Sequence, residues 1–352
     1  MSEIKIALGI EERTTEGDIE KLAQAGADEF FCGIVPSDWT NTYGYEASLN
    51  KRYSPAQQFT SFEKLEKIIN KIHSLKKQVF VTFNSHYYTK EQLPYLEKYL
   101  YQTRQLNVDA VIVTNMALLL VIKHLKLDFN IHIGGDAGAY SARSALFFKK
   151  LGVTRIKFPR DMSISEMKSV IERTRTYGFE YEAFIAEQRY PFSGVGCRNS
   201  HGFGCRDFCY MSWDKNPFYR LSADFLNETY NQPDLEKLMK KPPVSFLPVW
   251  KHNAFQYDMW TVVGLSPSLS VRDNLIRECG LCAIDKLAAI GVNSLKFVSR
   301  GKTLKGKLAV LGLLKKVINN PNADTEYCKC IRDNGEICET GYMCYYPEAR
   351  KG

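Results

Sequence analysis

Three times in this chain a helical stretch runs into glycine and then directly into a strand: Ala25-Gly26-Ala27-Asp28, Leu151-Gly152-Val153-Thr154 and Ile290-Gly291-Val292-Asn293. Glycine takes the left-handed conformation that ends a helix without a Cβ clash, so each phrase marks a helix stop and a strand start. Around these marks, short apolar runs rich in β-branched and aromatic residues alternate with amphipathic stretches of helical period. Strands are predicted at 4–8, 29–33, 78–83, 110–114, 130–134, 155–159, 180–186 and 294–299. Helices are predicted at 15–25, 62–75, 90–105, 117–125, 140–151, 163–177 and 304–318. Eight strands in this grammar close into an α/β fold, the TIM-like (β/α)8 barrel. No G-x-G-x-x-G follows the first strand, so an open dinucleotide-binding sheet finds no support.

The predicted barrel occupies residues 1–320 and is interrupted after its seventh strand by a Cys-containing insertion at about 188–290. That is far longer than an ordinary βα connection and marks a functional segment. Residues 321–352 form a small Cys-rich tail, read as a metal-binding knot. With 352 residues and 45% hydrophobic content, the chain can bury a large core without disulfide staples. Met1-Ser2-Glu3-Ile4-Lys5 lacks the layout of an export signal, and no run approaches the ~18 apolar residues of a membrane span. A cytoplasmic protein without membrane contact is expected. The net charge of +8 is scattered, which permits RNA or an acidic ligand and demands neither.

Nine of the ten cysteines lie in the second half of the chain. In a cytoplasmic setting such crowding speaks for metal or redox chemistry rather than disulfides. Cys197, Cys205 and Cys209 are spaced eight and four residues apart in a Gly-containing loop just after the seventh strand, where they can curl around one metal centre. A fourth ligand is available from Cys282, Cys279 or Cys32, and four thiolates suit either zinc or an iron–sulfur cluster. His201 is a further, lesser candidate among them. Cys328, Cys330, Cys338 and Cys344 form a second four-thiolate set in the tail, able to fold around zinc or a second cluster.

Several segments together resemble the U32 peptidase family: Tyr181-Glu182-Ala183-Phe184, Phe192-Ser193-Gly194 with Cys197, Cys205-x-x-x-Cys209, Leu281-Cys282-Ala283-Ile284-Asp285, Ala289-Ile290-Gly291-Val292, and Leu295-Lys296-Phe297-x-x-Arg300-x-Lys302. The resemblance implies a TIM-like barrel that in several members carries a four-cysteine [4Fe-4S] cluster. Some members assist oxygen-independent hydroxylation of ubiquinone precursors, and others hydroxylate RNA pyrimidines. Cys32 with Cys197, Cys205 and Cys209 resembles the ligand set of one member of the ubiquinone pair, while Cys282 resembles a ligand of the other. The chain departs from the pattern at Gln188-Arg189-Tyr190, where the family commonly has a cysteine, and at Val298, where it commonly has Glu.

Polar residues at the C-terminal ends of barrel strands line the active site. His86, Asp136 and Glu182 are the catalytic candidates, and Asn84, Arg160, Lys296 and Arg300 the substrate-binding ones. Thr114, Asn115, Asp161 and Glu187 stand at similar positions. His132 alternates with Ile131 and Ile133 in a strand and is read as structural. The expected function is oxygen-independent hydroxylation, or a related modification, of a small molecule, a peptide or an RNA base, with an electron donor. Longer RNA-modifying members carry a further C-terminal domain, so a small molecule or peptide is favoured. The alternatives are a peptidase, although no Ser-His-Asp order or H-E-x-x-H is visible, and a non-catalytic partner in a homologous heterodimer.

Overall fold

The structure, a computed structural model, describes residues 4–44, 47–52, 55–187, 278–332, 338 and 344–350. Cys197, Cys205, Cys209 and His201 lie outside the described residues, as does the insertion up to residue 277. Eight strands run in chain order around a closed barrel: β1 (Lys5–Gly9), β2 (Glu29–Gly33), β3 (Gln78–Phe83), β4 (Ala110–Val113), β5 (Ile131–Ile133), β6 (Val153–Lys157), β7 (Glu180–Ala186) and β8 (Ser294–Phe297). Every neighbouring pair is parallel, and β8 closes on β1 through the register Ile6 to Leu295 and Leu8 to Phe297.

The helices are α1 (Glu16–Gln24), α2 (Ser37–Tyr43), α3 (Phe62–Ser74), α4 (Leu93–Gln105), α5 (Met116–His124), α6 (Ala142–Lys150), α7 (Ile164–Thr174), α8 (Ile284–Ile290), α9 (Leu304–Ile318) and α10 (Thr325–Arg332). Their starts are written locally: Thr15, Ser61, Asn115, Ser141, Ser163 and Thr303 each accept a hydrogen bond from a first-turn amide. Gly26, Gly152 and Gly291 all have positive φ, the role the sequence phrases require. Helices α2 and α10 fall where the sequence predicts none. The first is anchored by one residue, the fully buried Trp39, whose indole N–H donates to the carbonyl of Ala47 at 2.6 Å.

Side chains alternate between two buried faces along each strand. Outward residues such as Phe30, Val81, Val113 and Ile133 join the large core under the helices. The inward face splits in two. Ala7, Phe31, Phe80, Ala110 and Ile112 make a small apolar cluster inside the barrel on the β1 to β4 side. Buried charged groups fill the side formed by β6, β7 and β8, and this asymmetry positions the site. No described helix is long and apolar enough to cross a membrane.

Candidate functional site

On β6, Arg155 and Lys157 stand two residues apart and share the inward face, as do Glu180 and Glu182 on β7 and Ser294 and Lys296 on β8. The lower layer centres on Arg155. Its guanidinium grips Glu29 of β2 with two bonds of 2.7 Å, reaches Glu180 at 2.7 Å and lies 3.3 Å from Glu182. Ser294 donates to Glu29 as well, at 2.7 Å. Burial disfavours the charge of Arg155, but the Glu29 bonds outweigh it and raise its pKa. In the layer above, Glu182 accepts from Lys157 and, at 3.2 Å, from Lys296. Burial pushes the Glu182 carboxyl up, yet the two lysines and Arg155 overcome that and hold it below the usual carboxylate range. Lys157 and Lys296 are themselves held below the ordinary lysine value, chiefly by burial. His132 faces inward against the ring of Phe80 at 4.5 Å, and burial with the neighbouring Lys157 and Arg155 keeps it neutral.

Above these layers the mouth opens into a pocket of about 520 Å³. Among the described residues, Lys51, Arg52, Lys157, Arg160, Lys296 and Arg300 all line it, against one lining acid, Asp136. Lys51 Nζ lies 2.9 Å from Asp136 and 2.7 Å from Nε2 of His86, while Arg160 reaches Asp136 at 3.5 Å. The cations are also aimed by rings: the Arg160 guanidinium sits 3.9 Å from the centre of Phe184, and Lys296 Nζ sits 3.4 Å from that of Phe31. Opposite them, the side-chain oxygens of Thr82, Asn84 and Thr114 line the pocket buried, with no hydrogen-bond partner among the described residues. Orphan buried polar atoms are costly and call for a partner.

The sequence candidates divide accordingly. Asn84, Asp136, Arg160, Lys296 and Arg300 meet in the pocket wall. His86 joins them through Lys51. Glu182 sits below the floor, where it pairs with lysines. Asn115 caps α5 and donates to the carbonyl of His86, Asp161 takes the hydroxyl of Tyr140, and Glu187 pairs with Lys302. Lys51, Arg52, Arg155, Lys157 and Glu29 were not anticipated. The signal for the strand residues was present: charged side chains at alternate positions of parallel strands cannot reach solvent and must pair inside. Lys51 and Arg52 lie in an irregular loop, for which no period exists.

The cysteines group differently from the sequence expectation. Cys32 does not reach the mouth: it follows Phe31 on β2, so alternation turns it outward, where it is fully buried under the helices and its thiol is pushed up to about 12 by desolvation. Cys282 is not shown with Cys32 either. Five thiols, those of Cys279, Cys282, Cys328, Cys338 and Cys344, line one small pocket between the turn before α8 and the tail. Cys330 is exposed and takes no part in it, because two residues along α10 turn it about 200° from Cys328. Cys328 donates a hydrogen bond that, despite burial, lowers the Cys282 thiol to about 7. Arg332 reaches Cys338 Sγ at 3.1 Å, and Leu281 N–H donates to Cys279 Sγ at 3.5 Å.

The profile of Peptidase family U32 matches residues 17–351. The chain belongs to this family. Among curated proteins it is 24% identical over 324 residues to tRNA hydroxylation protein P1 of Bacillus subtilis (strain 168), covering 88% of this chain and 63% of that one. It is 26% identical over 216 residues to tRNA hydroxylation protein P of Helicobacter pylori (strain J99), covering 57% of this chain and 47% of that one. The chain thus spans about half to two thirds of the length of these relatives. A solved U32 peptidase superposes with a TM-score of 0.42 at 17% identity, over 63% of this chain and 85% of that one.

Proposed function

We propose that this U32 protein modifies RNA, its barrel mouth taking a nucleotide of a tRNA for hydroxylation. The observation that carries the reading is the mouth, where six cationic side chains face three buried polar groups that lack a protein partner among the described residues. Arg160, Arg300 and Lys51 suit a phosphate, and Arg offers it the planar fork that Lys does not. The Asn84 carboxamide and the hydroxyls of Thr82 and Thr114 suit the donor and acceptor edge of a base. A base reached only inside a barrel must leave its stack, and the pocket opens at the barrel mouth, where an extruded base would arrive. The names of the tRNA hydroxylation relatives support the substrate class, and the net charge of +8 favours a polyanion.

An iron–sulfur cluster fits the chemistry of the donor set, since thiolates are its usual ligands. Cys197, Cys205 and Cys209 would hold it on the segment that leaves β7, and bound there it would transfer electrons, which calls for an electron donor. The described residues do the binding. Asp136 keeps Lys51 and Arg160 apart and aimed, Glu182 fixes the ammonium groups of Lys157 and Lys296 at the floor, and neutral His132 adds no charge below them.

The test is nucleoside mass spectrometry of tRNA from a strain lacking this gene, complemented by wild type or by Asn84→Ala with Arg300→Ala. A hydroxylated nucleoside should vanish, return with wild type and stay absent with the double variant. An unchanged nucleoside profile in the deletion strain would sink the reading.

A further inference from the structure

We propose that the rim of the mouth is a stacking platform for single-stranded RNA, which rests on the RNA reading above and extends it from the target base to its neighbours. Tyr87 and Tyr140 would hold the bases that flank the one taken into the barrel. Tyr87 lies in the connection between β3 and α4, and Tyr140 in that between β5 and α6. In a parallel barrel every such connection stands at the C-terminal face, the face of the mouth. Between them Met116 opens α5, and because β3, β4 and β5 are neighbours the three residues follow one another around one side of the rim. Tyr87 is 69% exposed, more than any other large apolar side chain among the described residues, and Tyr140 is 41% exposed.

A single exposed tyrosine is ordinary, and these two differ in how they are held. The loop of Tyr87 is pinned on both sides. The Tyr88 hydroxyl donates to the carbonyl of Leu49, and Asn115 at the start of α5 donates to the carbonyl of His86, each at 2.7 Å. Tyr87 is thus presented to solvent from an anchored backbone. Tyr140 is fixed by its own tip, since its hydroxyl lies 2.9 and 3.0 Å from the two oxygens of Asp161. That contact also occupies a carboxylate that would otherwise repel a phosphate.

Both tyrosines stand one step from cations of the mouth. Tyr87 follows His86, whose Nε2 lies 2.7 Å from Lys51, and Asp161 follows Arg160. Lys51 and Arg160 share Asp136. A strand whose phosphates reach these cations brings its adjacent bases over the rim, where a flat ring with a polar edge matches a base. Stacking on protein rings takes unpaired bases, so the surface fits a loop or an end rather than a duplex. A protein partner would call for a contiguous apolar patch, and the exposed Leu120 and Phe147 lie farther along α5 and α6, away from the mouth.

The experiment is fluorescence anisotropy of the full-length protein with a labelled single-stranded RNA of about ten nucleotides, beside an abasic strand of equal length and charge. Wild type should bind the RNA about tenfold or more tighter than the abasic strand. Tyr87→Ala should weaken RNA binding about tenfold, spare the abasic strand and leave the salt slope of log K unchanged, since no phosphate contact is lost. Tyr140→Ala, made with Asp161→Asn so that no carboxylate is released, should do the same relative to Asp161→Asn alone. Tyr87→Phe should bind like wild type. So should Tyr177→Ala, whose tyrosine is 47% exposed but follows α7 at the opposite end of the barrel. RNA bound no better than the abasic strand, or an equal loss from Tyr177→Ala, would overturn the platform. So would a dimer in sedimentation velocity that Tyr87→Ala dissolves, because a second copy of the chain would then cover the rim. Tyrosine variants that bind RNA like wild type overturn the platform alone, whereas an unchanged tRNA nucleoside profile in the deletion strain overturns the reading beneath it.

Discussion

The barrel mouth and the cysteine pocket solve the same problem, burying reactive polar groups, by opposite means. At the floor of the mouth the groups come from strands, where alternation places them at fixed heights and Arg155, Lys157 and Lys296 each meet a carboxylate of the same or the next layer. In the cysteine pocket they come from a turn, a short helix and the tail, far apart in sequence, and converge only because the tail folds back. A site built on a closed sheet is stiff before any ligand arrives. One built from a returning tail owes more of its order to whatever binds there.

That contrast is broken most severely at Arg155. Its replacement by Met takes from buried Glu29 its two-bonded cation and from Glu182 one of three, and should cost about 3–5 kcal/mol of unfolding free energy, read by chemical denaturation. A loss below about 1 kcal/mol would mean that the ladder is not what stiffens the barrel.

Glu182→Gln should cost about 3 kcal/mol at neutral pH by leaving Lys157 and Lys296 facing a neutral amide. The folded pKa of Glu182 lies below its unfolded value, so its stabilisation is complete above the unfolded value of about 4.3 and is lost as pH falls through the folded one. Thermal melts of wild type and variant should therefore converge as pH drops below about 4.3, and a gap independent of pH would contradict the ion-pair role.

Arg300→Ala concerns ligand rather than fold. It should weaken binding of bulk tRNA about tenfold and reduce the salt slope of log K by about one, with the melting temperature little changed. Fluorescence anisotropy across a salt series measures both. Equal binding at all salt concentrations would remove Arg300 from the RNA surface.

The smallest effect belongs to Cys32→Ala, at about 1 kcal/mol of lost packing. Iron content and tRNA affinity should not move, because the thiol faces the helices. Loss of iron in this variant would bring Cys32 back among the ligands.

The barrel was largely legible because its signals are local. The segment 29–33 is a strand in both readings, and the three helix-ending glycines do what their neighbours imply. Asn84, Asp136, Arg160, Lys296 and Arg300 follow from the same logic, since a residue just past a parallel strand stands at the mouth. The proposed RNA substrate departs from the small molecule or peptide that the sequence favours, and rests on the tRNA hydroxylation relatives together with the basic mouth. Lys51 escaped notice because an irregular loop writes no period, and its partner Asp136 is 85 residues away.

What the sequence alone determined is periodic: eight strands, their two faces, the helix ends and the family. Counting by two even contained the answer for Cys32, which must face away from Phe31 and hence from the mouth. Tertiary structure alone decided which distant groups share a space. It joined Cys282 to Cys328, Cys338 and Cys344, and set Glu29 against Arg155 across the barrel. The physical reason is that local periodicity fixes the direction of a side chain, whereas its partner depends on closure of the sheet and the return of the tail.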